Sequence, residues 1–429
     1  MRNIYITILC ALALASSCGK YLDQYSHTAI PPESVTTSDV PTVRIGMYER
    51  VQNCPGVRSY IIMDVLGGFI TQNTYNPIDL MNAALKGGST MSTQWNGFYA
   101  ALYHVNNMIS IASRFSDHEM SRTALGEAYY FRAWIYLNLT ISFGGVPILR
   151  ENTLEKVARN SAEECWAFID ENLDEAAKLL GKSSSYYYVS LNAVKALKAR
   201  VCLYEGKKEE AFTLAEELIT SGGYKLDDFT DIFSISRPTN TETIFAFMIQ
   251  NTQESSIEIG NEYYTYGYTN KGKGTYRLTQ EAEKMFVNSD KRRSSSVLIV
   301  DGINCLNKYP SGQAGTDPFI VSRLGEMYLI SAEAQGYPAG MARLNELRSF
   351  RGLGPASAHN ESSFIDAILT ERGLELLGEN QMFYDYVRTG TAVDKLGIKP
   401  YQQLFPIPET EIDRNRNIKQ NPGYGGDTE

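Results

Sequence analysis

The stretch SLNAVKALKARVCLYEGKKEEAFTLAEELIT, residues 190–220, decides the fold. In its first half Val194, Leu197, Val201 and Tyr204 recur every three or four residues, and Ala193, Ala196 and Ala199 form a second, small-residue stripe. That period is helical. Glu205-Gly206-Lys207 interrupts it, and the pattern resumes with Ala211 and Ala215. The stretch therefore predicts two helices, 190–205 and 207–220, folded into a hairpin. One such hairpin cannot bury its apolar face alone and needs neighbours of the same kind.

Those neighbours are legible on both sides. The window Asn192–Lys225 resembles a degenerate tetratricopeptide-like repeat unit. Upstream, helical spacing covers 39–52, 93–115 (Trp95, Tyr99, Leu102, Val105, Met108), 121–141 (Ala124, Ala128, Phe131, Ile135) and 161–180. Gly144-Gly145 and Pro147 terminate the third of these. Downstream, helices are predicted over 321–335, 341–351 and 363–377. Two tracts break the pattern. Residues 53–92 are rich in Gly, Asn, Thr and Pro, and residues 225–318 hold a strand-like run at 243–249 beside a Tyr-rich tract at 263–268. The fold class expected is mostly α: a helical-repeat scaffold (39–224 and 319–390) with a loop-rich insertion containing short strands (about 225–318) and a tail (391–429).

The first residues read as an export signal. Arg2 precedes the apolar run 4–14, which ends in Ala15-Ser16-Ser17, and Cys18 follows at once. Small residues directly before a cysteine form a bacterial lipobox, although Ala15 stands where Leu is usual. Residues 1–17 are then a lipoprotein signal peptide, and a single mature domain, 18–429, is held to a membrane by lipid on Cys18.

Composition narrows the partners. The chain has 429 residues with 43% hydrophobic content, and its formal net charge of −9 gives no global attraction for phosphate backbones. No nucleic acid is expected. Cys54, Cys165, Cys202 and Cys305 lack metal-ligand spacing, and their pairing is left open. The four histidines, His27, His104, His118 and His359, are scattered, so no metal and no cofactor is expected. Tyr is abundant, at 28 against 3 Trp. Tyrosines with asparagines on loops suit polar ligands: rings stack on the C–H faces of sugars while amides bond hydroxyls, and the same pair can hold a peptide backbone. The candidate ligand-binding residues are Asn73, Tyr75 and Asn76 from the first tract and Tyr263, Tyr264, Tyr266, Tyr268 and Tyr276 from the second. Trp95, at the start of its helix, completes the set. No catalytic residue is nominated.

Several segments in order carry a family resemblance: CGKYLD at 18–23, GEAYYFRAWIYLNLTISFGGVP at 126–147, VSRLGEMYLISAEA at 321–334 and LNELRSFRGL at 344–353. ILTERGLEL at 368–376 with FYDYVR at 383–388, and LFPIP at 404–408 with QNPGY at 420–424, complete it. Together they resemble the SusD/RagB family of outer-membrane nutrient-binding lipoproteins. The chain departs from the family at Asn380 and Met382, where Gly and Arg are common, and its insertion is short. The resemblance implies a receptor on the cell exterior that passes oligosaccharide to a SusC-like TonB-dependent transporter, with no enzymatic activity. A RagB-like peptide receptor and a helical-repeat interaction module are the other readings. Arg323, Glu371, Arg372, Glu375 and Asp385 fall in these motifs, and their charges are expected to clamp helices rather than catalyse.

Overall fold

A computed structural model describes residues 32–72, 90–182, 185–233, 240–247, 257–263, 272–315 and 317–424. The chain opens with α1 (Val40–Asn53), α2 (Ile62–Leu66) and β1 (Ile70–Gln72). Four long helices and a hairpin partner follow: α3 (Thr90–Ser113), α4 (Glu119–Phe143), α5 (Ala162–Leu179), α6 (Leu191–Tyr204) and α7 (Lys208–Ser221). The insertion holds β2 (Thr243–Phe247), β3 (Tyr276–Leu278), β4 (Val297–Val300) and β5 (Ile303–Leu306). Last come β6 (Phe319–Arg323), α8 (Leu324–Gln335), α9 (Met341–Phe350), α10 (Glu361–Glu375) and α11 (Met382–Arg388). The chain is mostly helical, as its periodicity predicts.

The deciding hairpin forms as expected, with Ala193, Ala196, Ala199, Ala211 and Ala215 all fully buried at its contact. Gly206 makes the corner at φ +77°, a backbone that residues with a Cβ rarely adopt. The repeat then continues in space but not in sequence, because α8 packs on α7 across the insertion. Arg343 and Ser331 both reach Glu216 of α7, at 2.6 and 2.5 Å. Each helix start has a local reason where a cap is present. Ser161 and Glu164 form a reciprocal capping box at α5, and Asn360 with Ser363 forms another at α10.

Two expectations change. Residues 321–323 are strand, not helix: β6 pairs antiparallel with β2, Thr243 opposite Arg323 and Phe247 opposite Phe319. Phe319-Ile320-Val321 are β-formers buried on both faces, so the ladder and its packing decide the conformation. Phe245 and Phe247 of β2 press on Tyr130 and Trp134 of α4, ring centroids 5.6 and 5.5 Å apart. The excursion after α1 also holds more order than its composition suggests, since α2 is entirely buried. Residues 248–249 of the strand-like run lie outside the described ones.

The tail closes the scaffold. Asn421 Nδ2 donates to the carbonyls of Phe143 and Phe405, while Phe405 N donates to Ser142 O at 2.7 Å. The Gly-Gly-Val-Pro corner after α4 is thereby gripped from the far end of the chain.

Candidate functional site

The two tracts singled out for binding meet at their bases. β1 pairs antiparallel with β3, Ile70 opposite Leu278 and Gln72 opposite Tyr276. The chain leaves this ladder after Gln72, immediately before Asn73, and re-enters it at Tyr276 from the Tyr-rich tract. Thr279 locks the other end, its N–H donating to Phe69 O at 3.0 Å. Asn73, Tyr75, Asn76, Tyr264, Tyr266 and Tyr268 lie outside the described residues, as does Cys18.

The three described candidates face inward. Tyr263 is fully buried, its ring stacked on Tyr309 at 5.8 Å and tilted against Tyr276 at 6.2 Å. Tyr276 is itself 4% exposed. These two rings root the ends of the Tyr-rich tract in the core. Trp95 is 3% exposed, packed edge-on to Phe143 at 5.0 Å and beside Tyr99 at 5.2 Å. Its helical stripe, read from sequence, already points to that interior position.

Beneath the loop bases lies a polar knot that sequence reading missed. Asp64 of α2 is fully buried and accepts the Asn380 N–H at 2.9 Å. Asn380 in turn accepts from Met63 N at 2.9 Å and donates to Ser59 O at 2.8 Å. Its φ of +61° explains the departure from glycine, because Asn is the side-chain-bearing residue best suited to that backbone. The departure itself was the available signal. The Tyr263 hydroxyl is buried with no hydrogen-bond partner among the described residues.

Burial pushes the Asp64 carboxyl up to about 7, against hydrogen bonds from the Asn380 and Met382 amides and the pull of Lys308. A carboxyl raised in the folded state adds stability that is complete at low pH and lost as pH rises through about 7. Asp64→Asn should remove that slope. Between pH 5 and 8 the parent chain should lose about 2–3 kcal/mol more than the variant in urea unfolding, and parallel profiles would refute the assignment.

The motif charges form a second, larger network. Glu375 takes Arg323 at 2.6 Å, Arg351 at 2.7 Å and Arg292 at 2.8 Å, all with side chains at most 1% exposed. Arg292 also holds Glu371 and Asp290, Arg323 and Arg351 share Glu242, and Lys308 joins Arg323 on Glu379. Arg372 pairs with Asp385 at 2.6 Å. Burial alone would raise Glu375, but Arg351, Arg323 and Arg292 outweigh it and hold the carboxyl well below its usual range. A carboxylate so held, with no solvent access, clamps rather than transfers protons. Among the described residues no cluster of His, Cys, Asp and Glu could hold a metal, and Cys54, Cys165 and Cys202 carry free thiols.

The described chain is thus a helical-repeat scaffold with a loop-rich insertion, and its motif charges are turned inward. Two family models match the chain: one described as "Starch-binding associating with outer membrane" over residues 20–203, and the SusD family over residues 291–403. The chain belongs to the SusD/RagB family. It is 25% identical to SusD-like protein P38 of Formosa agariphila, over 99% of both chains. A SusD superfamily crystal structure from Bacteroides thetaiotaomicron superposes with a TM-score of 0.78 at 22% identity, covering 90% of this chain and all of that one. A laminarin-binding SusD-like protein gives 0.76 at 22% identity, covering 90% and 99%. These structures share the fold. No helix among the described residues is long and apolar enough to cross a membrane.

Proposed function

We propose that this chain is a cell-surface lipoprotein, anchored through Cys18 to the outer membrane, that captures oligosaccharides and delivers them to a partner TonB-dependent transporter. The β1–β3 ladder is the observation that carries the reading, because it brings the Asn/Tyr tract and the Tyr-rich tract to one base. In this reading Asn73, Tyr75, Asn76, Tyr264, Tyr266 and Tyr268 supply the contacts, while Tyr263, Tyr276 and Trp95 hold the surrounding frame. Tyrosine rings give stacking faces and the asparagine amides give a donor and an acceptor for adjacent hydroxyls.

The similarity to a laminarin-binding protein makes laminarin the first probe and starch the second. Migration of the unlipidated chain should be retarded in gels containing one of these glycans. Replacing Tyr264, Tyr266 and Tyr268 together by alanine should weaken that binding about tenfold or more, or at least about 1.4 kcal/mol, with the melting curve unchanged. The bound glycan should be recovered uncut. Binding of a peptide pool in place of any glycan would transfer the function to a peptide receptor, and full retention by the triple variant would clear these tyrosines of the role.

A further inference from the structure

Within the insertion, the short helix Ile259–Tyr263 sits directly on a buried carboxyl. Asp317, two residues before β6, is 6% exposed and accepts the Ser311 N–H at 3.0 Å as well as the Ser311 hydroxyl. A Cβ on Gly260 would overlap Asp317 Oδ2 and crowd the Tyr309 carbonyl oxygen and the Gly312 nitrogen. Glycine at 260 therefore lets the helix backbone close over the carboxyl, and that cover keeps water from it.

Among the described residues no cation pairs with Asp317. The charged groups on the elements packed around it are held elsewhere. On the helix side Glu258 takes Asn261 Nδ2 at 3.5 Å and Glu262 takes Lys273 at 3.1 Å. On the side of Tyr309, Lys308 and Arg323 both close on Glu379, at 2.7 and 2.9 Å. Asp64, the other carboxyl felt by Tyr309, accepts the Asn380 N–H. Burial accordingly pushes the Asp317 carboxyl up to about 6, against the pull of the two Ser311 donors. Once ionised without a counter-charge, it recovers its lost solvation only if water reaches it, and the helix stands in the way.

We propose that Asp317 is a pH-dependent latch for this helix: protonated, it stays dry under Gly260 and the helix is docked; ionised, it draws in water and the helix lifts. A carboxyl raised in the docked state and ordinary in the lifted one stabilises docking fully below pH about 4, and that support is lost as pH rises through about 6. The helix ends on Tyr263, whose ring rests on Tyr309 at 5.8 Å and which directly precedes Tyr264. On the glycan-binding reading proposed above, and only on that reading, capture is then tighter in mild acid.

Hydrogen exchange on the full chain without glycan, corrected for the intrinsic pH dependence of amide exchange, tests the latch apart from any binding role. Protection of peptides covering 257–263 should fall about tenfold between pH 5 and pH 7, while that of α6 and α7 holds steady. Asp317→Asn should remove the fall. Ser311→Ala, which withdraws a donor to the ionised carboxyl, should keep the fall and carry it to higher pH. A flat profile in the parent would overturn the proposal. So would an equal fall in the parent and in Asp317→Asn, which would make Asp64 the sensor. If Asn at 317 loosens the helix at every pH, Ser311→Ala decides: a fall at the parent's pH sinks the latch.

Discussion

Glu375→Ala should be the most damaging single substitution in the chain, costing about 3–5 kcal/mol against a typical total of about 5–15. The side chain is shared by Arg292, Arg323 and Arg351, and none of the three has solvent to turn to. Their remaining partners are already committed: Asp290 and Glu371 to Arg292, Glu379 to Arg323 and Lys308, Glu242 to Arg323 and Arg351. The network also joins elements far apart in sequence, since Arg292 and Lys308 come from the insertion, Arg323 from β6, Arg351 from the end of α9 and Glu375 from α10. Losing the shared carboxylate should therefore detach the insertion as well as weaken α10. Urea unfolding against Arg150→Ala makes the comparison, because Arg150 pairs with Glu171 where both are largely exposed and should cost no more than about 1 kcal/mol. A cost for Glu375→Ala as small as that of Arg150→Ala would show that the three arginines find other partners.

That network explains which parts of the molecule were legible in the sequence. Helices announce themselves through residues three and four apart, so the hairpin of α6 and α7 could be read from its alanines alone. The charges at Arg323, Glu371, Arg372, Glu375 and Asp385 could be read as clamps, because arginine is always charged and grips a carboxylate with two donors. Their actual partners could not. Asp290, Arg292 and Lys308 sit in the loop-rich insertion, where no periodicity fixes which residue turns inward. The same limit hid β6. Val321-Ser322-Arg323 continue smoothly into a helical pattern, and only pairing with Thr243–Phe247, some eighty positions upstream, makes them strand. Of the candidate binding residues, Tyr263 and Tyr276 show the ambiguity of tyrosine most plainly. Its amphipathic ring suits a loop tip and a core equally well, and burial is decided by partners such as Tyr309 that sequence cannot assign. Asp64 left no local mark at all, since a lone acid in a short apolar segment looks like a surface residue until Asn380 is brought against it.

The Gly-Gly-Val-Pro corner after α4 supports the second large prediction. A Cβ on Gly145 would overlap the Asn160 carbonyl oxygen and crowd Ser161 and Ala162 at the start of α5. The approach is fixed from several sides: Asn160 N donates to Val146 O at 3.1 Å, Ile148 N to Asn160 Oδ1 at 3.0 Å, and Arg159 Nε to Gly145 O at 2.7 Å. Most of the obstruction is backbone, which no rotamer change can clear. Gly145→Val must then push the corner off α5, disturbing the Ser161 cap, the packing of α4 on α5 and the Asn421 latch on Phe143 O together. A loss of about 3 kcal/mol or more is expected, at the upper end for overpacked sites. Gly181→Val is the control, since a Cβ there meets nothing within 4 Å. In thermal unfolding the Gly145 variant should melt well below the parent while the Gly181 variant stays close to it. Equal melting of the two would mean that the corner can yield, and that glycine at 145 answers a need other than close approach.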